Sequence, residues 1–224
     1  MIFRIFAILF FFISCDLSND NNLDLEIKGL KKGKVILYKV INDSTDIIID
    51  SATVYGSNKI KLKNNIKEPG FLKIGLITNK KQAEKTFKFF AEPNKMVLTT
   101  SLDKFGISPI VKGSKNDSIW REFLTYKNEF SYKQNLIWKS KVEMVQIGNK
   151  DSLLKLEKLQ NTYENIQKSY IATFAIRNSK YEVSPYIAIS HFNQSNLLDT
   201  IYKSLSKDVK KSKYGKDLKK LISL

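Results

Sequence analysis

One cysteine, one histidine and three arginines are all that 224 residues contain of these types, and each scarcity removes a class of chemistry. With Cys15 alone, the chain forms no internal disulfide and holds no Cys-x-x-Cys pair, so thiol redox chemistry within it is excluded. A metal site or a serine–histidine–acid triad would have to be assembled around His191 by itself. That residue sits between Ser190 and Phe192 in a short apolar stretch and reads as a helix-packing side chain. Glycine is sparse as well. Gly29, Gly33, Gly56, Gly70, Gly75, Gly106 and Gly113 are isolated turn or strand-end residues, and none opens a phosphate-cradling loop followed by a helix. No zinc-protease helix is present either, and no cofactor is indicated. Asp46 and Asp50 bracket a strand-turn region, where paired carboxylates solvate an edge. No catalytic constellation emerges.

What is present begins at the amino terminus. Arg4 and the terminal amine precede the apolar run Ile5–Ile13, followed by Ser14 and Cys15. This is the layout of a secretory signal peptide. It is too short for a transmembrane helix, which needs about 20 apolar residues. A cysteine at the cut makes it a lipoprotein signal over residues 1–14, with Cys15 as the acylated first residue of the mature protein. Residues 15–22, ending in the polar Asp16–Asn22, form a tether. The expected location is the cell envelope, lipid-anchored, the outer membrane in preference to the inner, facing periplasm or cell surface.

Hydrophobic content of 42% and charged content of 27% describe a folded chain rather than a disordered one. The net charge of +16 comes from lysine, 35 against 3 arginines. Nucleic-acid and phosphate sites favour planar, bidentate arginine. The lysines here are scattered singly, as at Lys59, Lys61, Lys63, Lys88, Lys127 and Lys155, which is the spacing of solvated faces. Nucleic acid is therefore not an expected partner. Anionic lipid or acidic glycan suits such a surface better, and a lysine-rich coding bias without function is the plain alternative.

From Leu23 to Gly113 apolar residues recur with period two. Leu23, Leu25 and Ile27 alternate with Asp24, Glu26 and Lys28, and Ile60 and Leu62 with Lys59, Lys61 and Lys63. Short apolar runs at Val35–Ile41 and Ile47–Ile49 lie between them, and further strands are expected at Phe71–Thr78, Thr86–Glu92, Met96–Leu102 and Ile107–Lys112. Turn signals fill the gaps. About eight evenly spaced strands predict an antiparallel sandwich or open barrel over residues 23–113, with Phe87, Phe89 and Phe90 in its core.

After Gly113 the period becomes helical. Asn116 or Asp117 is placed to cap a helix presenting Trp120, Phe123, Leu124 and Phe130, with Trp120 as its anchor on the sheet. Gly148-Asn149-Lys150 interrupts, and a second helix carries Leu156, Leu159, Tyr163, Ile166 and Tyr170 to about Asn178. Two heptads are too few for a coiled coil, so an antiparallel hairpin is expected. Ser184-Pro185 reads as cap and first position of a short helix. Leu198, Ile201, Tyr202 and Leu205 mark another, and Leu218, Leu221 and Ile222 a last one. Residues 114–224 are thus a helical region, and the whole is α+β: an N-terminal antiparallel β-sandwich-like domain followed by helices.

Several pieces carry a resemblance: Leu25-Glu26-Ile27-Lys28-Gly29, Gly33-Lys34-Val35-Ile36-Leu37-Tyr38, Ile49-Asp50-Ser51-Ala52-Thr53-Val54, Glu68-Pro69, Phe89-Phe90-Ala91-Glu92 and Val111-Lys112-Gly113-Ser114-Lys115-Asn116. In order and spacing they resemble the domain of unknown function that precedes the thioredoxin-like domain in thiol-disulfide interchange lipoproteins of Gram-negative bacteria. Ser184-Pro185-Tyr186-Ile187-Ala188 and Ser212–Leu218 are similar to the helical linker of the same proteins. The thioredoxin-like domain with its Cys-x-x-Cys motif does not follow here, and the resemblance brings no catalytic residues. The expected function is a lipid-anchored, non-catalytic binding or scaffolding module with the membrane and an envelope protein as partners. Alternatives are a solute- or glycan-binding accessory with a Tyr- and Trp-lined pocket, a docking partner of a separate thioredoxin-like protein, or the product of a truncated gene.

Overall fold

The computed structural model describes residues 22–42, 44–79, 84–107, 109–193 and 195–223. Eight strands come first: β1 (Asn22–Lys28), β2 (Lys32–Asn42), β3 (Thr45–Tyr55), β4 (Lys59–Lys63), β5 (Gly70–Ile77), β6 (Lys85–Ala91), β7 (Met96–Ser101) and β8 (Ile110–Lys112). Helices α1 (Lys115–Gln146), α2 (Lys150–Arg177), α3 (Val183–His191), α4 (Ser195–Ser204), α5 (Lys207–Lys211) and α6 (Lys213–Ile222) follow. Cys15, with the signal and tether assigned to residues 1–14 and 15–22, lies outside the described residues, apart from Asn22 at the start of β1.

The strands form two four-stranded sheets, ordered β4-β1-β7-β8 and β3-β2-β5-β6. Pairing is antiparallel except between β1 and β7, which run parallel with Leu25 opposite Leu98. A parallel pair needs a long crossover, and the whole second sheet supplies it. Period-two alternation then sorts the side chains. Leu23, Leu25, Ile27, Leu62, Met96 and Leu98 of the first sheet meet Val35, Leu37, Leu72, Ile74, Phe87 and Phe89 of the second in one buried core. Burying a side chain of this size is worth roughly 1.5–3 kcal/mol, so this layer holds the sandwich together.

The second sheet is buried on its other face as well. Phe71 on β5 and Phe90 on β6 point away from Leu72 and Phe89, into a separate core with Ile119, Phe123, Phe174, Ile187, Ile201 and Leu218 of the helices. Phe90 thus belongs to the helical layer, not to the core shared by Phe87 and Phe89. The order of layers is sheet, sheet, helices. Gly113 marks the change of regime. Its φ of +91° is left-handed, and a Cβ there would stand 2.6 Å from the Lys95 carbonyl oxygen, so only glycine lets the chain leave β8 this close to β7.

Local details depart from the sequence expectations. The short runs Val35–Ile41 and Ile47–Ile49 extend into an eleven-residue-per-strand hairpin of β2 and β3. The last strand covers only Ile110–Lys112, with Ile107 left exposed. Ser114, not Asn116 or Asp117, caps α1, accepting a bond from the Asp117 amide at 2.9 Å. The cap of α3 falls at Glu182, so Ser184 and Pro185 lie inside the first turn. The reason is tertiary: Asn116 Oδ1 accepts the Val183 amide at 2.9 Å, doing from a neighbouring helix what a local cap would do, and Ser184 is free to donate to the Ala175 carbonyl at 2.7 Å. The α1–α2 pair is the expected antiparallel hairpin, with Asn149 capping α2. Helix α5 was not foreseen in the sequence.

Candidate functional site: a helical arm and a sheet–helix cleft

The helical layer is locked to the sandwich by a buried polar junction. Strand β6 is the last in its sheet, so its outward amides need partners from elsewhere. Asp117 supplies one: its Oδ1 accepts the Phe90 amide at 2.9 Å, while Oδ2 takes Arg121 Nε at 2.5 Å. Burial pushes the Asp117 carboxyl above its ordinary value, outweighing the Arg121 charge and the Phe90 amide. Beside it, Glu92 Oε1 accepts from Ser114 Oγ at 3.1 Å and from the Asn116 amide at 2.8 Å. Asn116 Nδ2 bridges Glu92 and Glu182 at 3.0 Å each. Every member has protein partners, which marks the junction as structural.

Beyond that junction the two long helices leave the body. At 1.5 Å per residue α1 is about 48 Å long, yet between Phe123 on α1 and Ile171 on α2 Ile137 alone of the hairpin's residues is buried. The helices hold each other through Tyr126 against Tyr170 at 4.7 Å, Gln134 to Gln167 at 3.3 Å and Lys141 to Gln160 at 3.0 Å. This seam is partly polar, and several large apolar side chains of the hairpin face outward. Trp138 is 64% exposed, Val145 63%, Ile147 68% and Leu154 57%. Trp138, Val142 and Val145 are spaced i, i+4 and i+7, so they stack on one face of α1. Leu159 and Ile166, seven apart, share a face of α2. Lys139, Lys141 and Lys155 stand among them. Large clustered apolar side chains in water are the usual mark of an interaction surface.

A cleft of about 340 Å³ opens where the start of β5 meets the start of α6. Val40, Ile41, Ile66 and Leu72 form its apolar surface, the Glu68–Gly70 turn one wall, and Lys39, Lys213 and Tyr214 the other polar groups. Tyr214 is buried, and its Oη accepts the Phe71 amide at 3.4 Å. Burial drives the Tyr214 phenol upward, reinforcing the neutral form that a phenol already has in neutral water. Lys213 Nζ lies 5.0 Å from the Tyr214 ring centre. This cleft has the tyrosine expected of a pocket between sheet and helices. Trp120 is elsewhere, packed edge-on against Phe71 at 5.3 Å, where it anchors α1 as expected. A shallower groove of about 370 Å³ runs over the outer face of the first sheet between Asp24, Glu26, Lys59 and Lys61.

The remaining candidates are structural. His191 Nδ1 lies 3.0 Å from the Ile187 carbonyl and its ring meets Phe123 edge-on at 5.1 Å; burial lowers its pKa. Asp50 ties β3 to β4 by accepting the Lys63 amide at 2.7 Å. Asp46 pairs with Lys73, whose ammonium lies over the Tyr38 ring, and Tyr38 donates to Glu84 at 2.8 Å. Among the described residues no cluster of histidine, cysteine or carboxylates is arranged to hold a metal, and no helix is long and apolar enough to cross a membrane. Neither the arm nor the cleft was localised from sequence; the exposed hydrophobic positions of α1 and α2 were the available signal for the arm.

The architecture defines a β-sandwich with a helical layer on one sheet and a protruding hairpin. Residues 22–120, the sandwich and the first turns of α1, match the family described as a domain of unknown function (DUF4369), the domain to which the sequence resemblance pointed. Comparison with curated proteins found no match.

Proposed function

We propose that the protein is a lipid-anchored, non-catalytic binding module of the cell envelope that grips a partner protein with the α1–α2 arm. The observation that carries this reading is the exposure of Trp138, Val145, Ile147 and Leu154 on helices that project beyond the packed body. Lysines interleave with these residues, so the complementary partner surface is apolar and bordered by carboxylates. The anchor rests on the signal layout before Cys15; multiple acyl chains would make attachment effectively permanent.

The test is lysine cross-linking in cells, with the captured protein identified by mass spectrometry and the linked positions mapped. The expected result is one recurrent envelope protein joined through Lys139, Lys141 or Lys155 and lost in Trp138→Glu. Links spread evenly over the surface, or capture unchanged in that variant, would refute the arm as the binding element. Metabolic labelling with an alkynyl fatty acid tests the anchor separately: the label is expected in the native chain and absent from Cys15→Ala.

A further inference from the structure

We propose that the uncovered part of the second sheet's outer face binds a linear acidic polysaccharide, with Lys32 and Lys34 on its carboxylates, the Tyr55 ring against a sugar and the Ser51 and Thr53 hydroxyls beside them. The site is separate from the arm, and neither assignment depends on the other.

Strand register puts these side chains together. Along β2, Val35 and Leu37 point into the sandwich core, so Lys32, Lys34 and Ile36 point to the other side, on which Val40 meets the helices. On β3 they stand opposite Tyr55, Thr53 and Ser51, and side chains directly opposite share a face. The helices cover the end of this face that holds Phe71 and Phe90. Lys32, Lys34, Ser51, Thr53 and Tyr55 are all exposed, Tyr55 by 70%. Neighbouring strands lie about 4.8 Å apart and alternate residues of a strand about 6.7 Å, so the patch measures about 13 Å by 5 Å, the footprint of a short run of sugar rings.

Chemistry then selects the ligand. Lys32 Nζ lies 5.4 Å from the centre of the Tyr55 ring, which sets an ammonium beside an aromatic surface. A pyranose offers that ring its apolar C–H side, and offers the serine and threonine its own hydroxyls. The lysines select a negatively charged sugar. Two acids of the face, Asp46 and Glu84, are engaged further along the sheet by Lys73 and by Tyr38, while exposed Lys31, whose carbonyl takes the Gly56 amide, adds positive charge beside Tyr55. Other polyanions fit less well. A protein partner seeks an apolar centre, and phosphate favours the arginine fork, whereas lysines on flexible stems can follow carboxylates carried one to a sugar.

Equilibrium dialysis of a galacturonic acid hexamer against the full chain in phosphatidylcholine nanodiscs tests the assignment, with empty nanodiscs as reference. The methyl ester of the same hexamer serves as the neutral sugar, and a glutamate hexapeptide as the polyanion without sugar. Saturable binding is expected, about ten-fold weaker or more for both comparators. Lys32→Glu/Lys34→Glu should abolish it, and Tyr55→Ala should weaken it about five-fold. The same charge reversal at the other end of the sandwich, Lys67→Glu/Lys112→Glu, should leave it unchanged. All five positions are exposed, so the fold is retained, which circular dichroism establishes for each variant. Uptake no greater than by empty nanodiscs, or equal uptake of the hexamer and either comparator, would overturn the proposal. So would binding unchanged in folded Lys32→Glu/Lys34→Glu or Tyr55→Ala, or an equal loss in Lys67→Glu/Lys112→Glu.

Discussion

Asp117, buried, and His191, half-buried, are ionisable groups with opposite consequences. Because burial raises the Asp117 carboxyl in the folded state, the folded protein keeps this proton to higher pH than the unfolded chain does. Its contribution to stability is therefore fully present below the ordinary value of 3.8 and declines as pH rises through the raised value. Measured by thermal midpoint, the native chain should lose ground to Asp117→Asn as pH is raised through that range; a constant difference would show that the carboxyl is not perturbed. His191 is the reverse case. Burial, aided by Lys127 and opposed by the Ile187 carbonyl, holds its folded pKa below 6.5, so its contribution is present above 6.5 and is lost as pH falls through the lowered value. His191→Gln should flatten the stability profile just below pH 6.5. At the junction, Ser114→Ala removes both the α1 cap and a donor to Glu92; a cost of about 1 kcal/mol is expected from the cap alone, read from denaturant midpoints.

The elements differ in what holds them. The arm has little buried hydrocarbon, whereas the same two helices near the body bury Phe123, Ile171 and Phe174. Local opening follows buried contacts. Amide hydrogen exchange should therefore be faster over residues 126–168 than over 171–177, and similar rates in both would show that the arm is covered. Helix α6 is the opposite. Gly215 packs against α5 so closely that a Cβ would stand 1.9 Å from the Val209 carbonyl oxygen. Gly215→Ala must push the helices apart, at a cost of about 1–3 kcal/mol, although alanine is the better helix former. An unchanged denaturant midpoint would contradict that contact.

On the scale of the molecule, one sheet serves two cores. Phe89 and Phe90 are adjacent in β6, yet the first seals the sandwich and the second seats the helices, so the layers are expected to unfold together. Phe90→Ala should lower stability by about 3–5 kcal/mol and keep a single transition by circular dichroism and fluorescence; two separated transitions would show independent halves. The α+β class, the strand-rich first part and the helical hairpin were legible in the sequence, because alternation and three-to-four spacing report which residues share a face. Residue identity alone excludes an internal disulfide, since Cys15 is the single cysteine, and local order alone is the ground for proposing a lipoprotein signal before it. Partnerships between distant segments were not legible. The parallel β1–β7 pair, the capping of α3 by Asn116 and the closure of Asp117 on the Phe90 amide join residues whose separation in the chain leaves no periodic trace. The cleft is of the same kind: Lys39, Tyr214 and the turn before Phe71 line one hollow only because α6 docks on the sheet, an encounter between residues far apart in the chain that no local pattern records.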